Sequence, residues 1–263
     1  MAVLSQEQKV EWAAQGFLAL RGVLDQQRVE RLTKWVEEVE AWAQQEGPGM
    51  HHFEQTDAGP RIARSEDFDP HHENLSRFIR EGIVENVLAD LFGEPAILFK
   101  EKINYKYPGG GGFAPHQDAS AYRFIDHHIS CMVPIDRATE ASGCLWFAPG
   151  HNEGLLPNAA GRISDEWLRT AQWTPIEVEA GDLVFFDSYA PHKSGPNRSR
   201  EPRRLMYLTY NGASLGDQRA RYYADKRAEF ERAGDQGASG NVRISINDDF
   251  LGRPVDNPNG KIA

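Results

Sequence analysis

Two histidines and an aspartate offer the clearest chemistry in this chain. His116 and Asp118 stand two residues apart in "GGFAPHQDASAY", behind a run of four glycines, 109–112. In extended backbone, residues i and i+2 project to the same side. An imidazole and a carboxylate placed that way can take adjacent positions on one metal ion. His192, in "DSYAPHKSGPN" after an apolar run, is placed to supply a third ligand. Two histidines and one carboxylate on one face of a six-coordinate ion leave three positions open, as in mononuclear non-haem iron sites. From spacing alone, a zinc site or ordinary loop histidines stay equally open.

Nine histidines in an acid-rich chain produce such pairs by chance. His52 with Glu54, His71 with Glu73 and His151 with Glu153 repeat the spacing. Polar surroundings give His51, His52, His71 and His72 the reading of ordinary surface residues. His151, in Pro149-Gly150-His151, reads as turn structure.

The elements that must position the three residues are legible from periodicity. Ser5 and Gln8 form a capping-box pattern, and 5–15 reads as a helix. Segment 16–24 is β-rich. In 26–45, Val29, Leu32, Trp35, Val36 and Val39 recur at helical spacing. Segment 51–75 is polar and aperiodic, a loop or an extended edge. Segment 75–93 reads as helix, stopped by Gly93 and Pro95. Then the pattern changes to short β-branched or aromatic runs: 96–107, 128–135, 143–149, 174–179, 181–187 and 203–211. Short runs separated by turn residues, without intervening helices, predict an all-β sandwich or barrel. A charged helix follows at 215–234, and the Gly-, Asn- and Pro-rich end is expected to wrap the surface. The layout predicts a single domain over 1–263. Its helical part would span 1–95, its β core about 96–212, and a helix and tail 213–263.

The chain has 263 residues, 40% hydrophobic and 26% charged, with a net charge of −10. That length supports one large core. The acidic balance argues against nucleic acid as a partner. No apolar run approaches a membrane span, and the N-terminus reaches charge too early for a signal peptide. Cys131 and Cys144 have no pair spacing, which suits a reducing compartment. A soluble cytoplasmic protein is expected, with its oligomeric state open.

Taken together, "GGFAPHQDASAY", "ASGCLWFAPGH" and "AGDLVFFDSYAPHKSGPNRSREPRR" resemble the phytanoyl-CoA dioxygenase family of Fe(II)/2-oxoglutarate oxygenases. "QGFLALRGVLDQQRVERL" is similar to that family's opening strand and helix, and the likeness spans roughly 10–212 in the family's order. The resemblance implies a double-stranded β-helix, or jelly roll, flanked by helices. It implies His116, Asp118 and His192 as iron ligands. It implies Arg203, eleven residues after His192, as the clamp for the far carboxylate of 2-oxoglutarate. A guanidinium binds a carboxylate through two parallel bonds and stays charged when buried. Arg204 would face the other way. Ser194 and Asn104 match family contacts to the same cosubstrate, although a strand amide satisfied by backbone explains Asn104 nearly as well. The implied reaction consumes O2 and 2-oxoglutarate, releases succinate and CO2, and hydroxylates an unactivated C–H.

Strand alternation puts Lys100, Lys102 and Asn104 on one side. If Asn104 faces the iron, both lysines face the cavity, and a buried lysine calls for an anion. Solvation at a wet barrel mouth would account for Lys100 as well. Arg61 and Arg64 are further anion-binding candidates, or ion pairs for Glu66 and Asp67. "HHFEQTDAGPRIARSEDF" and "LFKEKINYKYPGG" are most similar to the bacterial branch of the family that hydroxylates 2-aminoethylphosphonate and its N-methylated relatives. A phosphonate would meet Lys or Arg; its ammonium would meet Asp187, Glu54 or Tyr122. Gln117, between two ligands, would touch substrate or point away. Rival readings are a hydroxylase of an acyl-CoA, an ectoine-like amino acid or a natural product, a jelly-roll metal-dependent isomerase, and a non-catalytic module.

Overall fold

The computed structural model describes residues 3–45, 47–121, 125–159, 161–232 and 251–253. Helix α1 (Gln6–Gln15) starts at the expected capping box, both halves of which form, and ends at Gly16. Such a cap stabilises a helix by about 1 kcal/mol. Strand β1 (Phe17–Leu20) leads to α2 (Gln26–Trp42), which buries Leu32, Val36 and Val39. Next come β2 (Met50–Thr56), β3 (Gly59–Glu66), α3 (Glu73–Arg80) and α4 (Ile83–Phe92). The core strands follow as β4 (Ala96–Lys106), β5 (Phe113–His116), β6 (Ile129–Pro134) and β7 (Leu145–Phe147). Short β8 (Asn158–Ala159), β9 (Arg162–Ile163) and α5 (Asp165–Leu168) fill a connection that periodicity does not reveal. The chain continues through β10 (Thr174–Ile176), β11 (Leu183–Asp187), β12 (His192–Ser194), β13 (Arg203–Gly212) and α6 (Arg219–Arg232).

These strands form two antiparallel sheets. One runs β1-β11-β6-β13-β4-β3-β2, the other β10-β7-β12-β5-β9-β8. Strand β11 shows how alternation builds the layers. Val184 and Phe186 join Leu145, Phe147 and Tyr207 in the core between the sheets. Leu183 and Phe185 join the core under the helices, with Val36, Leu75 and Val87. Both faces of the larger sheet are therefore covered, which is why β6 and β11 are buried along their whole length. This is the jelly roll with flanking helices that the family resemblance implied, and it falls within the sandwich or barrel that the short runs predicted.

Segment 51–75 takes the second of its two expected forms, an extended edge rather than a loop, but most of its histidines are not at the surface. Its first part is the β2–β3 hairpin, which adds to the larger sheet through Arg64, Ser65 and Glu66 against Asn104, Ile103 and Lys102. Three of its histidines are buried, His51 and His52 by the hairpin and His72 against α2. His51 bonds Ser65 Oγ at 2.9 Å and the Pro48 carbonyl at 3.1 Å. His52 lies 3.8 Å from Glu66. His72 caps α3, accepting from the Leu75 N–H at 3.2 Å, and meets Glu38 at 3.1 Å. Only His71 of that group is exposed. Among the described residues, no helix is long and apolar enough to cross a membrane.

Candidate metal centre and cosubstrate pocket

The pairing of β5 with β12 creates the centre. His116 and His192 are direct cross-strand partners, and such pairs share a face of the sheet. Their ring centroids lie 4.2 Å apart. His116 Nδ1 bonds the Ala114 carbonyl at 2.7 Å, and His192 Nδ1 bonds the Ala190 carbonyl at 3.0 Å. A carbonyl accepts only, so each Nδ1 carries the proton and each Nε2 presents its lone pair. Asp118 opens a short 3-10 turn, and its Oδ1 is 3.8 Å from His116 Nε2. One ligand atom from each of the three residues falls within 4.8 Å of the others.

The electrostatics suit a cation. Burial works to raise the Asp118 pKa, but His192, Lys102, Lys100 and His116 outweigh it and hold the carboxyl far below its ordinary range. Burial, then His116, lowers the His192 pKa to about 4, so the imidazole is neutral and able to ligate. Two imidazoles, each tied through Nδ1 to a carbonyl, and a carboxylate make a donor set that fits Fe(II).

A second buried polar group gathers around Ser194, two residues along β12 from His192. Arg203 is 1% exposed. Its Nη2 donates to the Gly143 carbonyl at 2.6 Å, and its Nε has no hydrogen-bond acceptor among the described residues. A buried guanidinium with an unused donor is what a ligand carboxylate would complete. Ser194 is buried next to it, at the end of the strand that carries His192. Gly143 has φ +81°, and a Cβ there would lie 2.4 Å from the Gly195 carbonyl oxygen. A Cβ on Gly112 would lie 2.3 Å from the Ser194 carbonyl oxygen. Only glycine allows these turns to close around the pocket. Arg204, as alternation requires, faces the helices and pairs with Asp136 at 2.8 Å.

The third group lines the inner face of β4. Lys102 and Asn104 pair across to Tyr207 and Leu205, both in the core between the sheets. Ile103 and Tyr105 point to the helical side. Lys102 Nζ lies 5.2 Å from the Tyr207 ring centroid, and Lys100 Nζ lies 5.7 Å from that of Tyr222 on α6. Burial, then Lys102, pushes the Lys100 pKa well down. Arg64 donates through Nε to Asn104 Oδ1 at 3.1 Å and through Nη1 to Glu66 at 3.2 Å. Lys226 of α6 closes on the other oxygen of Glu66.

Other candidates from the sequence lie elsewhere. Arg61 is exposed and rests over the Tyr107 ring, 6.0 Å from its centroid. Asp187 bonds His127 at 2.7 Å and the Tyr189 N–H at 2.8 Å. Gln117 is buried with its amide engaged by Gly154, Leu156 and Tyr189 backbone, so it ties loops together beneath the centre. Glu54 accepts from the Gly111 N–H at 2.9 Å. Tyr122 lies outside the described residues.

Sequence reasoning missed three residues. Lys106 continues the alternation of Lys100, Lys102 and Asn104 by one step. Lys226 had no signal, because α6 reaches the site only through the fold. His128 is fully buried, with electrostatic coupling to Asp118 and Lys100, and burial lowers its pKa to about 3.

Comparison with known proteins bears on the family and the fold. Residues 12–205 match the family described as Phytanoyl-CoA dioxygenase (PhyH). A methylphosphonate hydroxylase of Gimesia maris is 45% identical over 254 residues, covering 96% of this chain and 97% of that protein. A 2-aminoethylphosphonate dioxygenase from uncultured bacterium HF130_AEPn_1 is 39% identical, covering 88% and 90%. Among solved structures, EctD from S. alaskensis with bound Fe has a TM-score of 0.71 at 19% identity, covering 81% of this chain and 78% of that one. That level of identity speaks to the jelly-roll fold alone. The family match and the two relatives decide the identity: the chain belongs to the phytanoyl-CoA dioxygenase family of Fe(II)/2-oxoglutarate oxygenases.

Proposed function

We infer that this chain hydroxylates the carbon next to phosphorus in a small phosphonate such as 2-aminoethylphosphonate, an N-methylated relative or methylphosphonate. The observation that carries the reading is the inner face of β4, where Lys100 and Lys102 act electrostatically on Asp118 and Arg64 of β3 bonds the neighbouring Asn104. A phosphonate dianion brings acceptor oxygens that such a set binds by charge-assisted hydrogen bonds. The two relatives named for phosphonate activity support it.

In this reading His116, Asp118 and His192 hold Fe(II), with both imidazoles oriented by their Nδ1 bonds. Arg203 and Ser194 hold the distal carboxylate of 2-oxoglutarate. Asn104, its Oδ1 taken by Arg64, offers its amide N–H to the cosubstrate. Phe147, Phe186, Leu205 and Tyr207 form the apolar wall that keeps water from the reacting carbon. Lys100 and Lys102 fix the phosphonate so that its neighbouring C–H faces the metal. The chemistry supplied at the metal is oxidative decarboxylation of 2-oxoglutarate by O2, coupled to hydroxylation of that C–H. Cytoplasmic operation suits the two buried free thiols, Cys131 and Cys144.

The test is aerobic incubation with Fe(II), ascorbate, 2-oxoglutarate and each phosphonate in turn. Succinate formed one-for-one with a one-oxygen mass gain in a phosphonate is the expected result. Succinate without phosphonate oxidation would move the substrate to another small molecule while keeping the class.

A further inference from the structure

We propose that Lys226 of α6 sets substrate selectivity: its ammonium occupies the Glu66 carboxylate that a substrate ammonium would otherwise use, so the site takes phosphonates without an amino group. This rests on the phosphonate reading above.

Glu66 shares a face with the lysines of β4. It pairs directly across to Lys102, as Arg64 pairs to Asn104, and cross-strand partners lie on one side of a sheet. Glu66 is 2% exposed. Its Oε1 accepts from Arg64 Nη1 at 3.2 Å and has His52 Nε2 at 3.8 Å. Its Oε2 is taken by Lys226 Nζ. Burial works to raise the Glu66 pKa, but Lys226, then Arg64, outweigh it and keep the group a carboxylate. Glu66 is thus a buried anion beside Lys102, with both oxygens engaged by the chain's own cations. Two other acids that could meet an ammonium are held elsewhere. Asp187 bonds His127 at 2.7 Å, and Glu54 accepts from the Gly111 N–H at 2.9 Å.

The aromatic partner for an ammonium is engaged as well. Lys226 Nζ lies 5.6 Å from the Tyr222 ring centroid and 3.3 Å from its hydroxyl. Lys100 Nζ lies 5.7 Å from the same centroid. A ring face that attracts methylated ammonium groups therefore already meets two lysines. An incoming ammonium would join Arg64, Lys100, Lys102 and Lys226 around one carboxylate, and like charges repel strongly away from water. The same excess of cations draws the phosphonate dianion. Selectivity of this kind comes from a repulsive element set against the wrong ligand. Helix α6 lies outside residues 12–205, which match the family, so this contact is separate from the matched core. The bland alternative is a docking contact that only seats α6 on β3.

Propylphosphonate separates charge from size, because it carries a methyl group where 2-aminoethylphosphonate carries its ammonium. Each is titrated as a competitor of methylphosphonate oxidation by the Fe(II) enzyme with 2-oxoglutarate, read by one-oxygen mass gain in the phosphonates. In the parent protein, propylphosphonate should compete better than the amine. In Lys226→Met, and in the milder Lys226→Gln, that selectivity against the amine should fall about tenfold or more. Lys226→Arg keeps the charge and should keep the parent selectivity. Adding Glu66→Gln to Lys226→Met should abolish the gain in amine binding. Unchanged selectivity in variants that a thermal melt shows to be folded would overturn the proposal and leave Lys226 as a dock for α6. A parent that binds or oxidises the amine as well as its propyl analogue would overturn it too. If the parent adds oxygen to none of the three phosphonates, the phosphonate reading itself fails, and the proposal with it.

Discussion

His116 and His192 sit directly opposite each other on β5 and β12, and each ring is anchored through Nδ1 to the carbonyl two residues before it. The repeated anchor fixes both tautomers before any metal arrives. The centre is therefore preorganised by two strands that are distant in sequence.

Removing a ligand should empty the centre. His116→Ala and Asp118→Ala are each expected to lose Fe(II) affinity by more than the roughly 10–100-fold that outer partners cost. Metal content after gel filtration, with a thermal melt to confirm folding, checks this.

Lys102→Ala separates substrate binding from cosubstrate binding. The KM for the phosphonate should rise about tenfold or more, since a charge-assisted hydrogen bond contributes roughly 1.5–3 kcal/mol. The KM for 2-oxoglutarate should hold steady. Unchanged phosphonate kinetics would remove Lys102 from the site.

Arg204 is the control for Arg203. It donates to both oxygens of Asp136 at 2.8 Å, on the helical side of β13. Arg204→Ala should lower stability by about 1–3 kcal/mol in urea unfolding. Its affinity for 2-oxoglutarate should match the parent protein.

His128 sets a pH dependence of stability. Burial lowers its folded pKa to about 3, against 6.5 for the free side chain. Below pH 6.5 the unfolded chain takes up a proton that the folded chain refuses. Stability thus falls as the pH drops from about 6.5 toward 3, by roughly 2 kcal/mol between 6.5 and 5. Denaturant midpoints across that range should show the loss, and His128→Asn should reduce its slope, leaving the part that His192, His52 and His51 contribute through their own lowered pKa values.

Helix α6 lies beyond the family-matched residues, yet its Tyr222 ring meets Lys100, 5.7 Å from Nζ to centroid. Arg219 ties it to buried Glu101 and, at 2.9 Å, to Asp67. Arg219→Ala would leave Glu101 buried without its cation, a loss of about 3–5 kcal/mol. We expect a lower Tm, and a higher phosphonate KM because Tyr222 and Lys226 lose their seat. Unaltered phosphonate kinetics in the folded variant would show that α6 only covers the sheet.

The sequence by itself marked most of the elements and, through the family resemblance, named three candidate ligands, which the fold brings within 4.8 Å of one another. Period-2 runs marked the core strands because a half-buried pleat alternates its environment. Ser5 with Gln8 marked the start of α1 because the cap is made of local bonds. Alternation also separated Arg203 from Arg204, since neighbours on a strand face opposite ways. What tertiary structure alone decided was who meets whom. The β2–β3 hairpin pairs with β4 only over Arg64–Glu66, so Arg64 reaches Asn104 while Arg61 stays outside. That same hairpin buries His51 and His52, which polar neighbours had marked as surface. The partners of Lys106 come from the turns at Gly143 and Ser194–Gly195, far along the chain. Periodicity describes each residue's face but not the strand across from it. Strand pairing and layer closure are long-range choices, and they placed the cations around the metal centre.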